Sequence, residues 1–229
     1  MKFSDVDIKG IDLGIVKYKK AWDLQKQAQI IVENDPDKGF VFFLEHDPVV
    51  TFGKNADFSY LSVSRHSLES DGVDVVETDR GGQVTAHMPG QLVVYPVLNL
   101  GKKGLGPKDY VCKLEQAVIN TLKAFGIQAN RDSVNPGVWV GVNKICAVGI
   151  RISRRVSLHG IALNVENDFG LFRKMTPCGI SGRGVSSLAV ELGRPPDMGL
   201  VKETFSRELG DLLSKKKIEL MPFTEDMLQ

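Results

Sequence analysis

The sequence predicts a mixed α/β fold (α+β) in which helices flank a mixed sheet. Three apolar strands follow one another with tight turns, at residues 138–142, 144–152 and 156–165. The clearest helical periodicities, at residues 18–33, 108–125 and 200–213, stand apart from this run of strands. Neighbouring strands with separate helices favour a mixed sheet over a doubly wound nucleotide-binding fold.

Each remaining element follows from a local pattern. Residues 7–16 alternate as in a half-buried strand, and residues 40–45 form a short apolar run that is typical of a buried strand. A short helix is predicted at 62–70, followed by strands at 73–77 and 84–98. Gly126 follows helix 108–125, where a glycine commonly ends a helix.

Length and composition predict a single domain over residues 1–229, since 42% of the residues are hydrophobic and no long linker divides the chain. No apolar stretch approaches the roughly 20 residues of a membrane helix, and the N-terminus lacks a secretion signal, so we expect a cytoplasmic protein. A net charge of +1 argues against a globally basic nucleic-acid-binding protein. Three cysteines without metal-type spacing predict free thiols and no metal site.

One polar segment immediately precedes the apolar run 92–98, and it reads Arg80-Gly81-Gly82-Gln83-Val84-Thr85-Ala86-His87-Met88-Pro89-Gly90-Gln91. Its paired glycines would let a ligand approach backbone N–H groups, because no Cβ stands in the way. Polar residues at the start of a buried strand lie at the edge of the core. The segment is therefore predicted to bind a ligand.

The same segment resembles the signature of the lipoyl(octanoyl) transferases, which move an octanoyl group from acyl carrier protein to a lysine of lipoyl domains. Four later segments agree in order, Asn-Pro-Gly-Val-Trp-Val at 135–140, Asn-Lys-Ile-Cys-Ala-Val-Gly-Ile-Arg at 143–151, Leu-His-Gly-Ile-Ala-Leu-Asn at 158–164 and Thr-Pro-Cys-Gly at 176–179. Agreement at several ordered sites is more specific than one short motif. The resemblance implies the fold shared by the catalytic domains of biotin and lipoate protein ligases.

Three thiols are candidates for a nucleophile. Cys112 lies in the predicted helix 108–125 and is expected to be a small core residue. Cys146 follows Lys144 by two residues on one strand face, and Cys178 lies in a loop between Pro177 and Gly179. The residues alone do not decide which of these two cysteines is the nucleophile. The resemblance implies Cys178 as the nucleophile and Lys144 as its partner. A neighbouring ammonium would favour the reactive thiolate.

The resemblance also implies the substrate site and the partners. The acyl group would pass from octanoyl-acyl carrier protein, through a thioester on Cys178, to lipoyl domains of 2-oxoacid dehydrogenases or to the H protein of glycine cleavage. The donor carries phosphopantetheine, so no ATP or other cofactor is expected. His159 is expected beside the site as a supporting residue. The implied substrate-binding residues are Arg80, Gly81, Gly82, Gln83, Val84, Thr85, Ala86, His87, Ala147, Val148, Gly149, Gly160, Ile161 and Ala162.

Two residues depart from the family pattern. Ala86 stands where the transferases usually have an aromatic residue, and Met88 where they commonly have glycine, so both are expected to reshape the acyl pocket.

An ATP-dependent ligase of the same fold would need a phosphate loop, for which residues 181–184 are a weak candidate. A non-catalytic module could instead bind acidic carrier domains through a basic rim of Arg151, Arg154 and Arg155.

Overall fold

A computed structural model describes residues 6–132, 135–175, 183–214 and 216–228. The predicted nucleophile Cys178 lies outside the described residues, as do Ser181 and Gly182 of the weak phosphate-loop candidate. The helices are α1 Tyr18–Asn34, α2 Arg65–Ser70, α3 Pro107–Ala124, α4 Gly170–Arg173, α5 Leu188–Leu192 and α6 Met198–Leu213. The strands are β1 Asp7–Val16, β2 Lys38–His46, β3 Val49–Phe52, β4 Asp74–Glu77, β5 Val84–His87, β6 Gln91–Leu98, β7 Asn130–Arg131, β8 Val138–Val140, β9 Asn143–Ser153, β10 Val156–Asn164, β11 Gly184–Val185 and β12 Leu220–Pro222.

The described strands form one large sheet, in the order β12-β1-β2-β6-β10-β9-β8-β7 with β11 paired to β9, and one small sheet, β4-β3-β5. In the large sheet β1 runs parallel to β2 and β12, whereas β2, β6, β10, β9, β8 and β7 pair successively antiparallel. The predicted mixed α/β sheet with flanking helices is confirmed.

Strand β2 shows how the helices cover both faces of the large sheet. Phe40 and Phe42 pack in a cluster with α1, whereas Val41 and Phe43 pack in a second cluster with α3 and α6. Successive side chains of a strand point to opposite faces, so a continuous apolar run indicates a strand that is covered on both sides. Burying each phenylalanine contributes about 1.5–3 kcal/mol to folding.

The two long helices that cover this second face begin and end with local signals. Helix α3 begins after Gly106 with Pro107 in its first turn, and Gly126 with φ +82° follows its end. Helix α6 begins two residues before its predicted start, because the Asp197 side chain accepts a hydrogen bond of 2.8 Å from the backbone N–H of Leu200. No helix in the described part of the chain has the length and apolar character needed to span a membrane.

The prediction of one strand over residues 84–98 is wrong. The chain turns between β5 and β6, so that β5 belongs to the small sheet and β6 to the large one. Gly90 permits the turn with φ +83°, and a Cβ there would lie 2.7 Å from the backbone nitrogen of Asn167. Its own N–H donates to Glu45 Oε2 at 2.7 Å.

Strand β3, which was not predicted, completes the small sheet by pairing parallel with β4 and antiparallel with β5. The loop that leads into β5 reaches the large sheet, where Gly81 N–H donates to the carbonyl of Ile150 at 2.9 Å. This bond places the glycine-containing segment directly beside β9.

Candidate active site

A cavity of about 620 Å³ opens between the segment 80–87 and the strands β9 and β10. Its size is typical of small-molecule sites. The structure brings to its wall all but one of the substrate-binding residues that the sequence predicts. These are Arg80, Gly81, Gly82, Gln83, Val84, Thr85, His87, Ala147, Val148, Gly149, Gly160, Ile161 and Ala162.

Ala86 does not line the cavity. Its side chain is fully buried in the core of the small sheet, where Val50, Phe52 and Met88 belong to the same cluster. Neighbouring residues of a strand face opposite sides, and Thr85 and His87 on either side of Ala86 do face the cavity. Ala86 and Met88 both lie in the core behind the cavity wall, so any effect of these two residues on the shape of the pocket would be indirect.

Arg80 fixes the loop at one side of the cavity. Its Nη2 donates to the carbonyl oxygens of Thr51 at 2.6 Å and Gln83 at 2.8 Å, and its Nη1 donates to the carbonyl of Gly81 at 3.0 Å. The residue is only 6% exposed. A planar guanidinium with five donors can hold several carbonyls at once, so Arg80 sets the conformation of the loop and adds positive charge to the site.

His46 lies behind the cavity and is neutral. Its Nδ1 donates to the carbonyl of Val16 at 2.8 Å, so its Nε2 is the acceptor for the Tyr95 hydroxyl at 2.9 Å. Burial lowers the pKa of His46 to about 4, despite opposing contributions from the Val16 bond and from Asp47. Both ring nitrogens are therefore engaged.

His159 lies in the cavity wall and carries a left-handed backbone with φ +56°. Its Nε2 lies 2.7 Å from Asp79 Oδ1, and its Nδ1 lies 3.3 Å from the hydroxyl of Tyr18. Arg151 forms an ion pair with the same Asp79 carboxylate and so reduces the negative charge that His159 experiences. Burial, together with the charges of Arg80 and Arg151, lowers the pKa of His159.

The hydroxyl of Tyr18 completes this group as a donor. Burial raises the pKa of Tyr18 to about 12, so the hydroxyl keeps its proton. Because Asp79 accepts from Nε2 of His159, the Nδ1 of this neutral ring accepts from Tyr18. Tyr18 and His159 thus line this part of the cavity as neutral rings joined by a hydrogen bond.

Lys144 projects from β9 into the same cavity. Its Nζ donates to the carbonyl of Pro136 at 3.2 Å and lies 4.8 Å from the ring centroid of Trp139. The guanidinium carbon of Arg183 lies 4.7 Å from the same ring. Such cation–π contacts hold a charged group at the edge of an apolar site. The pairing of Lys144 with Cys178 stays a prediction, because Cys178 is not described.

The two described thiols are both free, and neither lines the cavity. Cys146 is fully buried, and burial raises its pKa well above the usual value, which leaves the sulfur protonated and inaccessible. Cys112, expected in the core, is exposed. The buried stripe of α3 runs through Tyr110, Leu114 and Ala117, and at 100° per residue position 112 falls on the other side of the helix.

Two of the three arginines in the predicted basic rim are paired with carboxylates. Arg151 pairs with Asp79, and Arg154 Nη1 lies 3.2 Å from Glu33 Oε2. Among the residues that the structure describes, no three His, Cys, Asp or Glu side chains lie close enough together to hold a metal ion.

Sequence reasoning missed several residues of the cavity wall. Gln91, Tyr95, Trp139 and Asn164 lie within or directly beside the recognised motifs but carried no individual signal, whereas Tyr18 lies far from any motif in sequence. A polar residue inside a buried apolar strand, such as Gln91, is the signal that could have found one of them.

Comparisons with known proteins identify the family to which this chain belongs. The family model described as "Lipoyl protein ligase A/B catalytic domain" matches residues 17–210. A curated octanoyltransferase from Desulfovibrio desulfuricans is 44% identical over 200 residues, which are 87% of this chain and 84% of that protein. The chain belongs to the octanoyltransferase family. The octanoyltransferase of Bacteroides fragilis is 40% identical and covers 89% of this chain and 97% of its own.

Solved structures support the fold at lower identity. A bipartite lipoate protein ligase from Thermoplasma acidophilum superposes with a TM-score of 0.75 at 17% identity, covering 97% of this chain and 91% of its own. A lipoate-protein ligase A bound with ATP gives a TM-score of 0.72 at 16% identity, with coverages of 100% and 92%. This chain thus shares the lipoate protein ligase fold, and by family it is an acyltransferase.

Proposed function

We propose that the protein transfers an octanoyl group from octanoyl-acyl carrier protein to the ε-amine of a lysine on lipoyl domains, through a thioester on Cys178. The acceptors are lipoyl domains of 2-oxoacid dehydrogenases and the H protein of glycine cleavage. A thioester already carries its activation, so the reaction needs no ATP and no other cofactor. The observation that carries the proposal is the extent of the similarity to octanoyltransferases, together with a cavity that contains Lys144 and the segment 80–87.

Two features of the cavity suit this chemistry. Its wall combines apolar side chains, such as Val148 and Ile161, with glycines at which an acyl chain and an oxyanion could approach the backbone closely. Lys144 supplies an ammonium that can stabilise a thiolate and exchange its proton during the two steps. The first step forms the Cys178 thioester and frees the phosphopantetheine thiol. In the second, the lysine amine attacks that thioester, the amide forms, and Cys178 is released.

Mass spectrometry tests the covalent step. The protein incubated with octanoyl-acyl carrier protein should gain one octanoyl group, and Cys178→Ser should lose thioester formation. Cys112→Ser is the matched control, since that thiol is exposed but lies outside the cavity. No mass gain, or a gain that persists in Cys178→Ser, contradicts the mechanism.

Nucleotide dependence separates the transferase from the ligase that shares its fold. The transferase should convert octanoyl-carrier protein without nucleotide and should not use free octanoate. Transfer that requires ATP would instead establish a ligase. Carrier binding without turnover, unchanged in Cys178→Ala, would indicate a non-catalytic module.

A further inference from the structure

A continuous chain of side-chain amides runs from His87 in the cavity wall into the large sheet. His87 Nδ1 lies 2.7 Å from Gln91 Oε1, and Gln91 Nε2 lies 2.9 Å from Asn164 Oδ1. Asn164 Nδ2 in turn lies 3.0 Å from the backbone carbonyl of Ser186. The backbone N–H of Ser186 donates to the carbonyl of Lys144 at 3.0 Å, so the far end of the chain is anchored to the strand that carries this lysine.

The carbonyl at the far end fixes the direction of every bond in this amide chain. A carbonyl oxygen can only accept, so the Asn164 atom that faces Ser186 must be the NH₂ group, and its oxygen must face Gln91. Gln91 therefore donates to Asn164 through its own NH₂ group, which also lies 3.4 Å from the carbonyl of Ala86. The oxygen of Gln91 is left to face His87, and Nδ1 of His87 must carry the hydrogen.

The His87 ring is also neutral, which leaves its second nitrogen as an acceptor. Burial lowers the pKa of His87 well below 6.5, and the nearby His46, Arg80 and His159 lower it further, although the bond to Gln91 opposes them. A neutral ring with hydrogen on Nδ1 has a lone pair on Nε2. No described residue forms a hydrogen bond to this Nε2, whereas both nitrogens of His46 and of His159 are engaged.

We propose that Gln91 and Asn164 are positioning residues that hold His87 in its Nδ1–H tautomer, so that Nε2 accepts a hydrogen bond from the lysine amine that receives the acyl group. This inference rests on the proposed function. Arg80, Lys144 and Arg183 bring cationic groups to the cavity wall, and these suit the thioester, whose carbonyl oxygen and sulfur can only accept. The amine is the reactant with hydrogens to donate, and a neutral acceptor can orient it without protonating it.

The step balances without a change in His87. The amine lone pair forms the C–N bond, and the C–S bond of the Cys178 thioester breaks with its electron pair on sulfur. The proton lost by the nitrogen ends on that sulfur, and the imidazole is neutral before and after. A hydrogen bond from the amine to Nε2 directs the nitrogen lone pair at the carbonyl carbon, which is a gain in orientation.

NMR of the ¹⁵N-histidine-labelled protein tests the tautomer directly. His87 should have hydrogen on Nδ1 and a bare Nε2, and Gln91→Leu should introduce the Nε2–H form. Gln116→Leu is the matched control, because Gln116 also donates to an asparagine, Asn120 at 2.7 Å, but lies outside the cavity. An Nε2–H tautomer in the unaltered protein overturns the inference. This measurement is independent of turnover, so it remains decisive for the tautomer if the proposed function fails.

Rapid-quench kinetics of the two half-reactions test the role. Gln91→Leu and His87→Asn should slow transfer from the acyl-enzyme to a lipoyl domain by about tenfold, as expected for one lost hydrogen bond in the transition state. Because both residues also line the cavity, formation of the acyl-enzyme should slow as well, but by a smaller factor than transfer. His87→Gln, whose amide oxygen can replace Nε2, should recover part of the loss. Equal slowing of both half-reactions would indicate that Nε2 accepts a hydrogen bond from an N–H of the carrier arm, and would overturn its role in amine attack. Unchanged transfer in His87→Asn would overturn that role as well.

Discussion

His46 should make the folded protein lose stability as the pH falls from about 7 to about 5. Burial holds the folded-state pKa of His46 at about 4, against 6.5 for an unburied histidine. Between these two values the unfolded chain binds a proton that the folded protein does not, so the stability contributed by neutral His46 is present above pH 6.5 and is lost as the pH falls. The titratable groups that face the ring are Tyr18, Tyr95, His87 and Asp47.

The magnitude follows from the distance between pH and pKa. At pH 5 the unfolded-state pKa of 6.5 lies about 1.5 units higher, and about 1.36 kcal/mol per unit gives a loss of about 2 kcal/mol. Against a typical total of about 5–15 kcal/mol, this is readily measurable by urea denaturation. In His46→Gln the residue cannot titrate, so the difference in unfolding free energy between the natural protein and the variant should shrink by about 2 kcal/mol from pH 7 to pH 5.

The comparison has a matched control and a clear contradiction. His66 lies exposed on α2, and His66→Gln should change the unfolding free energy by less than about 0.5 kcal/mol. If His46→Gln and the unaltered protein lose stability in parallel between pH 7 and pH 5, the ring is not held neutral by the fold and the reasoning is refuted.

Two further predictions concern burial and close packing. Cys112 should react with a thiol reagent in the native protein, whereas Cys146 should react only after unfolding, because it is buried and protonated. Mass mapping of the labelled peptides checks this. Rapid labelling of Cys146 in the native protein would contradict the structure. Gly160→Ala should destabilise the protein by about 1–3 kcal/mol in urea denaturation, because the new Cβ would overlap the Val94 carbonyl and lie 3.0 Å from Pro96 Cδ. The control is Gly106→Ala, whose Cβ would meet only Asp109 Oδ2 at 3.3 Å. It should cost less than about 1 kcal/mol. Equal losses in the two glycine variants would argue against the close approach of β6 and β10.

The elements that could be predicted are those with a strong local pattern. Helices α1, α3 and α6 and the hairpin of β9 and β10 lie within a few residues of their predicted bounds, since their side chains repeat with the period of the element. Arg154 and Arg155 both adopt positive φ in this hairpin turn, as two-residue turns of its kind require. By contrast, the break between β5 and β6 depends on where Gly90 meets Asn167 and Glu45, which no local pattern reveals.

The candidate site was predictable as a set of residues but not as a set of contacts. Motifs placed the segment 80–87, Lys144 and the strands β9 and β10 in one site, and the cavity contains nearly all of them. The partners that fix their chemistry come from far away in sequence. Tyr18 reaches His159 from α1 across 141 positions, and Asp79 reaches the same ring across 80. Such pairings follow from the sheet order, and they become visible only once the chain is folded.

The two-sheet arrangement also changes how the departures at Ala86 and Met88 must act. Both residues pack with Val50 and Phe52 behind the cavity wall, so a larger side chain there would press on the small sheet and not on the contents of the cavity. Any influence on the substrate must pass through the position of β5, and hence through Thr85 and His87. Interiors are close-packed and transmit such shifts. Under the proposed function, selectivity for acyl-chain length is therefore better sought in residues whose side chains form the wall itself, such as Val148 and Ile161.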